Sequence, residues 1–150
     1  MPDDKSRDEA DINANCLEDC LKRLKINYER VGTSFHINNL FQIDNLTTGK
    51  TRRHFLIALG RGIVFLTDLE ITVNDSSRMN LALALHNIND QIPYGDFEMT
   101  KNGTGITFKV STFFETEKNV SIDNLFKNCI STTQLNVLKY REEIINLNQF

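Results

Sequence analysis

The sequence predicts an α+β fold in one domain: a helix, a three-stranded antiparallel meander, a second helix, a β-hairpin and a long C-terminal helix. Apolar residues recur at helical spacing in three segments, and they alternate with period two in the segments between. Glycine-containing turns separate the alternating segments. With 150 residues, the chain can bury a full core without disulfides or metals.

The sequence predicts a flexible tail at residues 1–7 and a single domain over residues 8–150. A first helix is predicted over residues 8–25, because apolar residues recur there at helical spacing. Acidic residues lie at the N-terminal end of this segment and basic residues at its C-terminal end, an order that the helix dipole favours. Its apolar positions are Ile12, Cys16, Leu17, Cys20, Leu21 and Leu24. Cysteines at such positions usually behave as small buried hydrophobic residues, and we expect the same of Cys129.

Alternation over residues 28–44 predicts the first strand, with the sequence Gly-Thr-Ser at 32–34 as a break or bulge within it. Its inward residues are Phe35, Ile37, Phe41 and Ile43. A turn-rich connection at residues 46–51 leads to two apolar strands at 53–59 and 63–69. The sequence Gly-Arg-Gly at 60–62 predicts a tight hairpin between these two strands.

The second half begins with N-cap candidates at residues 74–77, which predict a helix over residues 77–91. Pro93 and Gly95 end it. A hairpin follows, with strands at residues 96–100 and 106–115. Helical spacing from Ile122 to Leu147 predicts the final helix, and weak helix propensity at residues 131–133 predicts a bend or break there.

The composition disfavours two classes of protein, those that bind nucleic acid and those that span a membrane. The net charge is -3, and 25% of the residues are charged, which disfavours nucleic-acid binding through a concentrated basic surface. No segment approaches the roughly 20 apolar residues of a membrane span, so we expect no membrane partner. Residues 1–11 are polar and acidic, without the apolar run of a signal peptide, which predicts a cytoplasmic protein.

The candidate chemical groups do not form a recognisable reactive site. His36, His54 and His86 lack the spacing of metal ligands with Cys16 or Cys20. The sequence Gly-Lys-Thr at 49–51 resembles the end of a phosphate-binding loop, but Asp44 stands where that loop needs glycine. We therefore predict no catalytic residues, no cofactor, no metal and no enzyme activity.

The informative anomaly is an excess of apolar residues on both sides of the central strands. A sheet covered by helices on one side should carry polar residues on the other. One explanation is that the helices divide over both faces. The other is that the second face binds a protein, an extended peptide or a second copy of the chain. The predicted partner-binding residues are Leu56, Ala58, Val64, Leu66 and Phe113.

An alternative function is a small-molecule-sensing regulatory domain that holds its ligand in the same apolar groove. That alternative predicts a closed pocket of several hundred Å³ with a few inward polar groups, in the general range of ligand sites (~300–1,000 Å³).

The segment order resembles the class I type III secretion chaperone fold. The stretch Leu85-His-Asn-Ile-Asn89, then Gly95-Asp-Phe-Glu98 and Gly105-Ile-Thr-Phe108, resembles the bacterial YbjN-like family, which shares this fold. The resemblance runs from about Cys16 to Leu147. It implies a non-catalytic, often dimeric protein that acts as a chaperone or regulator by binding a protein or peptide.

Overall fold

In the part of the chain that the structure describes, six strands form one antiparallel sheet, and three α-helices pack against it. The computed structural model describes residues 4–38, 40, 53–60, 62–113 and 121–148. The helices are α1 (Asp4–Arg23), α2 (Arg78–Asn89) and α3 (Ile122–Leu147). The strands are β1 (Tyr28–Val31), β2 (Ser34–Asn38), β3 (Arg53–Leu59), β4 (Gly62–Asp68), β5 (Asp96–Met99) and β6 (Ile106–Phe113). The order in the sheet is β1-β2-β3-β4-β6-β5. The predicted fold class is therefore confirmed.

The first predicted strand differs from the structure, because it forms two strands rather than one. The chain reverses at Gly32, whose φ of 64° is a left-handed conformation that glycine adopts without steric cost. Among the described residues, four strands therefore precede α2, where three were expected. The predicted residues Phe41 and Ile43, the turn at 46–51 and Arg61 lie outside the described residues.

Helix α1 begins at Asp4, four residues before the predicted start, and ends at Arg23. Lys25 adopts a positive φ of 57°, and the N–H of Ile26 donates to the carbonyl of Leu21 at 3.0 Å. This geometry is a Schellman-type helix end, in which a left-handed residue turns the chain and satisfies the last carbonyls. Ile26 then packs against the core.

The inward side of α1 also differs from the prediction. Ile12 and Cys16 are exposed, whereas Asn13 and Ala14 are buried. Cys20 and Cys129 are buried, as expected. The prediction was wrong for Cys16, because the apolar residues of this helix cover more of its circumference than the sheet can contact.

Helix α3 runs without interruption through residues 131–133, so the predicted break is absent. The Thr133 hydroxyl is buried and donates to the carbonyl of Cys129 at 2.8 Å. Because that bond stays within one turn of the helix, the hydroxyl is satisfied without breaking the helix.

Candidate functional site

One face of the sheet is covered by the helices of the chain itself. On β3 and β4, the residues of this covered face alternate along each strand. They are His54, Leu56, Ala58, Ile63, Phe65 and Thr67, and all are buried. Helix α1 contacts β3, α3 contacts β6, and α2 contacts β5. Helix α3 also contacts both other helices, so all three lie on the same side of the sheet.

This arrangement excludes the first of the two explanations for the apolar excess. The three described helices do not divide over both faces of the sheet. The opposite side, called here the open face, is covered by no described helix. Its apolar residues are Val31, Phe55, Ile57, Leu59, Val64, Leu66 and Phe113.

The strand register places these apolar side chains in adjoining rows. Phe55 pairs with Leu66, and Ile57 pairs with Val64. Leu59 pairs with Gly62, which in turn pairs with Phe113 on β6. The rows form one continuous apolar surface over β3, β4 and the end of β6. Neighbouring strands half-bury its centre, whereas Val31 is 55% and Phe113 67% exposed.

Charged residues border one end of this surface. The Arg53 guanidinium lies 3.9 Å from the Asp68 carboxylate, and the Lys109 ammonium lies 2.8 Å from Glu98. Glu98 raises the pKa of Lys109 through that hydrogen bond, so the ammonium stays charged. An apolar centre with a charged margin is the general anatomy of a protein interface.

The five predicted partner-binding residues do not lie on one surface. Val64 and Leu66 belong to the open face, and Phe113 lies at its end. Leu56 and Ala58 lie on the covered face, where they are 0% and 3% exposed. A role in partner binding stays a prediction for the first three, whereas the latter two are packed inside the chain.

Four apolar residues of the open face were not predicted, namely Val31, Phe55, Ile57 and Leu59. For the three on β3, a signal exists in the sequence. A two-residue loop at 60–61 places Leu59 opposite Gly62, so successive pairs join Ile57 to Val64 and Phe55 to Leu66. Residues paired in this way point to the same side of the sheet. The register of the hairpin would therefore have grouped Leu66 with Phe55 rather than with Leu56.

The histidines lie apart from one another. His36 is on the open face, with its ring 4.8 Å from that of Phe55, and His86 is exposed on α2 beside Asp90. His54 is buried in the covered face, where its ring stacks on Phe65 and its Nδ1 lies 2.9 Å from the Thr67 hydroxyl. Among the described residues, no group of three or more His, Cys, Asp or Glu could hold a metal ion.

The buried thiols are held in their neutral form. Burial, with a hydrogen bond to Asp123 as the second cause, raises the pKa of Cys20 to about 12. Burial raises the pKa of Cys129 to about 11. Asp123 itself accepts from Arg23 at 2.6 Å, and this bond lowers the pKa of its carboxyl group. A neutral thiol is a poor nucleophile, so neither of these cysteines is activated for covalent chemistry.

Two of the clefts in the described part of the chain involve strands of the sheet, and both lie away from the apolar centre of the open face. One, of about 530 Å³, lies between the end of α1 and strands β1 and β2. The other, of about 440 Å³, lies between the Pro93–Gly95 turn, β6 and α3. The second cleft is lined mainly by neutral polar residues: Tyr94, Ser111, Thr112, Asn128, Ser131 and Thr132. Neither coincides with the apolar groove in which a small ligand was expected.

None of the helices in the described ranges combines the length and hydrophobicity that crossing a bilayer requires.

Comparison with known proteins identifies the fold. The sequence matches no protein-family profile and no curated protein. The structure is similar to YbjN from E. coli, a candidate transcription regulator, with a TM-score of 0.61 and 13% identity over 86% of this chain and 91% of that one. It is also similar to a chain of the heterodimeric ExoU–SpcU complex from the type III secretion system of Pseudomonas aeruginosa. That match has a TM-score of 0.53 and 9% identity, over 89% of this chain and 98% of the other. The resemblance drawn from the sequence is thus confirmed at the level of fold.

Proposed function

We propose that the chain is a non-catalytic binding protein of the chaperone or regulator type, and that its open face binds another polypeptide. The observation that carries the proposal is the apolar surface formed by Phe55, Ile57, Val64, Leu66 and Phe113 on the side of the sheet away from the helices. Contiguous apolar surface of this kind is unusual on a protein that has no partner.

The energetics of covering this surface favour a protein partner. Removing about 400 Å² of apolar surface from water contributes about 10 kcal/mol before the costs of association. The surface is the open side of a sheet rather than an enclosed cavity, which suits a second sheet, a helix or an extended segment better than a small molecule. Neither cleft is lined by the apolar residues of this surface, so the small-molecule alternative has less support.

The comparisons and the cysteines support the same proposal. One protein with this fold is a candidate regulator, and the other belongs to a heterodimeric secretion complex. All three cysteines are free thiols, a state that the reducing cytoplasm maintains. We accordingly propose that the protein acts in the cytoplasm.

The test is affinity capture from the native cell with three tagged forms of the chain, read by quantitative mass spectrometry. The forms are the wild type, Leu66→Asp on the open face and Leu135→Asp on the exposed side of α3. We expect Leu66→Asp to lose the specific partner and Leu135→Asp to retain it. Equal capture by all three forms would place the binding surface elsewhere and contradict the proposal.

A further inference from the structure

The cleft between the Pro93–Gly95 turn, β6 and α3, called here the polar cleft, is a second candidate binding site. We propose that it binds a free, uncharged nucleoside. The proposal goes beyond the proposed function and does not depend on it, because the apolar residues of the open face do not line this cleft. The cleft volume of about 440 Å³ lies within the usual range of ligand pockets, ~300–1,000 Å³.

The floor of the polar cleft is a sheet edge that lacks a partner strand among the described residues. Strand β5 begins at Asp96, which pairs with Lys109 of β6. Strand β6 continues to Phe113, and beyond Lys109 no described strand pairs with it on the side away from β4. A main-chain N–H or C=O group without a protein partner bonds to water or to a ligand. This edge therefore offers hydrogen bonds to a molecule that enters the cleft.

Two carbonyl groups show which main-chain groups of β6 face the polar cleft. A Cβ atom at Gly62 of β4 would meet the Thr112 carbonyl, whereas one at Gly95 would lie 3.1 Å from the Lys109 carbonyl. The N–H and C=O groups of alternate residues point to opposite edges of a strand. Ser111, two residues after Lys109, therefore directs both of its groups into the cleft. Neither group bonds to the main chain of a described residue.

The main-chain groups of Ser111 and a neighbouring aromatic ring indicate the class of ligand. The Watson–Crick edge of a nucleobase presents a donor and an acceptor on adjacent atoms, which match the C=O and N–H of one strand residue. Tyr94 lines the same cleft and is 74% exposed, and bases stack on aromatic rings of this kind. Asn128 and Ser131 add an amide and a hydroxyl, which can bond to the hydroxyl groups of a sugar.

The neutral lining of the polar cleft favours a nucleoside over a nucleotide or a nucleic acid. None of the described residues that line the cleft is Asp, Glu, Lys or Arg. Proteins bind phosphate through Arg, Lys or the N-terminus of a helix. The α3 residues of the cleft lie between Asn128 and Thr132, well inside a helix that begins at Ile122. A phosphate group would therefore find no favourable partner here.

The wall that carries Tyr94 is held in place without a ligand. The Asn89 side chain accepts from the N–H of Phe97 at 2.8 Å and donates to the carbonyl of Phe97 at 2.9 Å, which joins the end of α2 to β5. Gly95 has a φ of 94°, and a Cβ atom there would lie 2.5 Å from the Phe108 ring. The turn thus packs directly on the sheet. A wall that is already formed lowers the entropic cost of binding.

The test titrates the four ribonucleosides into the isotope-labelled chain and follows the assigned amide signals by NMR. The variants are Tyr94→Ala, which removes the stacking ring, and Ser111→Pro, which removes the N–H in the cleft. Proline suits a strand residue whose N–H faces no partner strand, so the pairing of β6 with β4 is kept. Met79→Ala, which truncates an exposed side chain of α2 outside the cleft, is the control. The matching 5′-monophosphates form a second series.

We expect at least one nucleoside to bind at millimolar concentration or below and to shift the Ser111 and Phe113 amide signals. Tyr94→Ala and Ser111→Pro should each weaken binding about fivefold or more, Met79→Ala should leave it unchanged, and the monophosphate should bind no more tightly than its nucleoside. The inference would be overturned if the wild type bound no nucleoside or if Tyr94→Ala bound as tightly as the wild type. A monophosphate that bound about tenfold more tightly than its nucleoside would also overturn it. Partner capture through Leu66 is measured separately, so failure here leaves the proposed function standing.

Discussion

Asn13 shows how one polar residue can replace an apolar contact in the core. It lies on the buried side of α1, and its side-chain amide donates to the carbonyls of Leu59 at 2.9 Å and Gly62 at 2.8 Å. These carbonyls flank the β3–β4 turn, so the amide fixes the hairpin to the helix. Hydrophobic periodicity does not detect such a residue, which explains why Ile12 was predicted in its place.

We expect Asn13→Ala to lower the free energy of unfolding by about 2 kcal/mol, because two carbonyls lose a donor in a buried site. Urea denaturation measures the change. Asn87→Ala, on the exposed side of α2, is the matched control, with an expected change of less than about 0.5 kcal/mol. Similar losses in the two variants would show that the amide contributes nothing specific.

We expect the three cysteines to differ in reactivity because they differ in burial. Cys16 is exposed, whereas burial raises the pKa of Cys20 to about 12 and that of Cys129 to about 11. At pH 8 we expect a disulfide reagent to modify one thiol rapidly in the folded chain and the other two only after unfolding. Cys16→Ser should abolish the rapid reaction. Rapid modification of two or three thiols without denaturant would contradict the burial of Cys20 and Cys129.

At the scale of elements, the sequence located all three helices because their apolar periodicity is long and regular. The β1–β2 reversal was predicted only as a break, since a glycine in a strand is equally compatible with a bulge and with a turn. The break predicted as one possibility in α3 does not occur, because a local hydrogen bond and burial of Thr133 outweigh its weak helix propensity.

Alanine substitutions at two glycines compare the contribution of strand packing to stability with that of backbone conformation. Gly62 lies where β4 approaches β6, and a Cβ atom there would meet the Thr112 carbonyl. Gly32 has a positive φ but open space around it. We expect Gly62→Ala to cost about 3 kcal/mol, through separation of β4 from β6, and Gly32→Ala to cost about 1 kcal/mol, through backbone strain.

Thermal and urea unfolding of both glycine variants give these values. The reverse order, with Gly32→Ala the more damaging, would mean that backbone conformation rather than strand packing limits the stability of this sheet.

For the whole molecule, the decisive feature is that the helices cover one face of the sheet. The sequence of β3 and β4 already indicated that both faces of the sheet carry apolar side chains. Which residues share a face depends on strand register, and which face the helices cover depends on contacts between distant segments, such as α1 with α3. Local periodicity contains neither kind of information, so Leu56 was grouped with Leu66.

The same grouping assigns Leu56 and Leu66 one role in partner binding, and it therefore implies that aspartate at either position would abolish association and leave the fold intact. The structure separates the two positions. Leu56 is fully buried under the helices, whereas Leu66 is half-buried among the side chains of the open face.

The most direct measurement is therefore the free energy of unfolding of Leu56→Asp and Leu66→Asp, at a chain concentration low enough to keep both monomeric. A carboxylate at Leu56 would enter the apolar core, and we expect a loss of about 4 kcal/mol or more. At Leu66 the carboxylate would reach water, and we expect a loss of no more than about 2 kcal/mol with the fold retained. Equal losses at the two positions would show that both faces of the sheet are interior, leaving no surface for a partner.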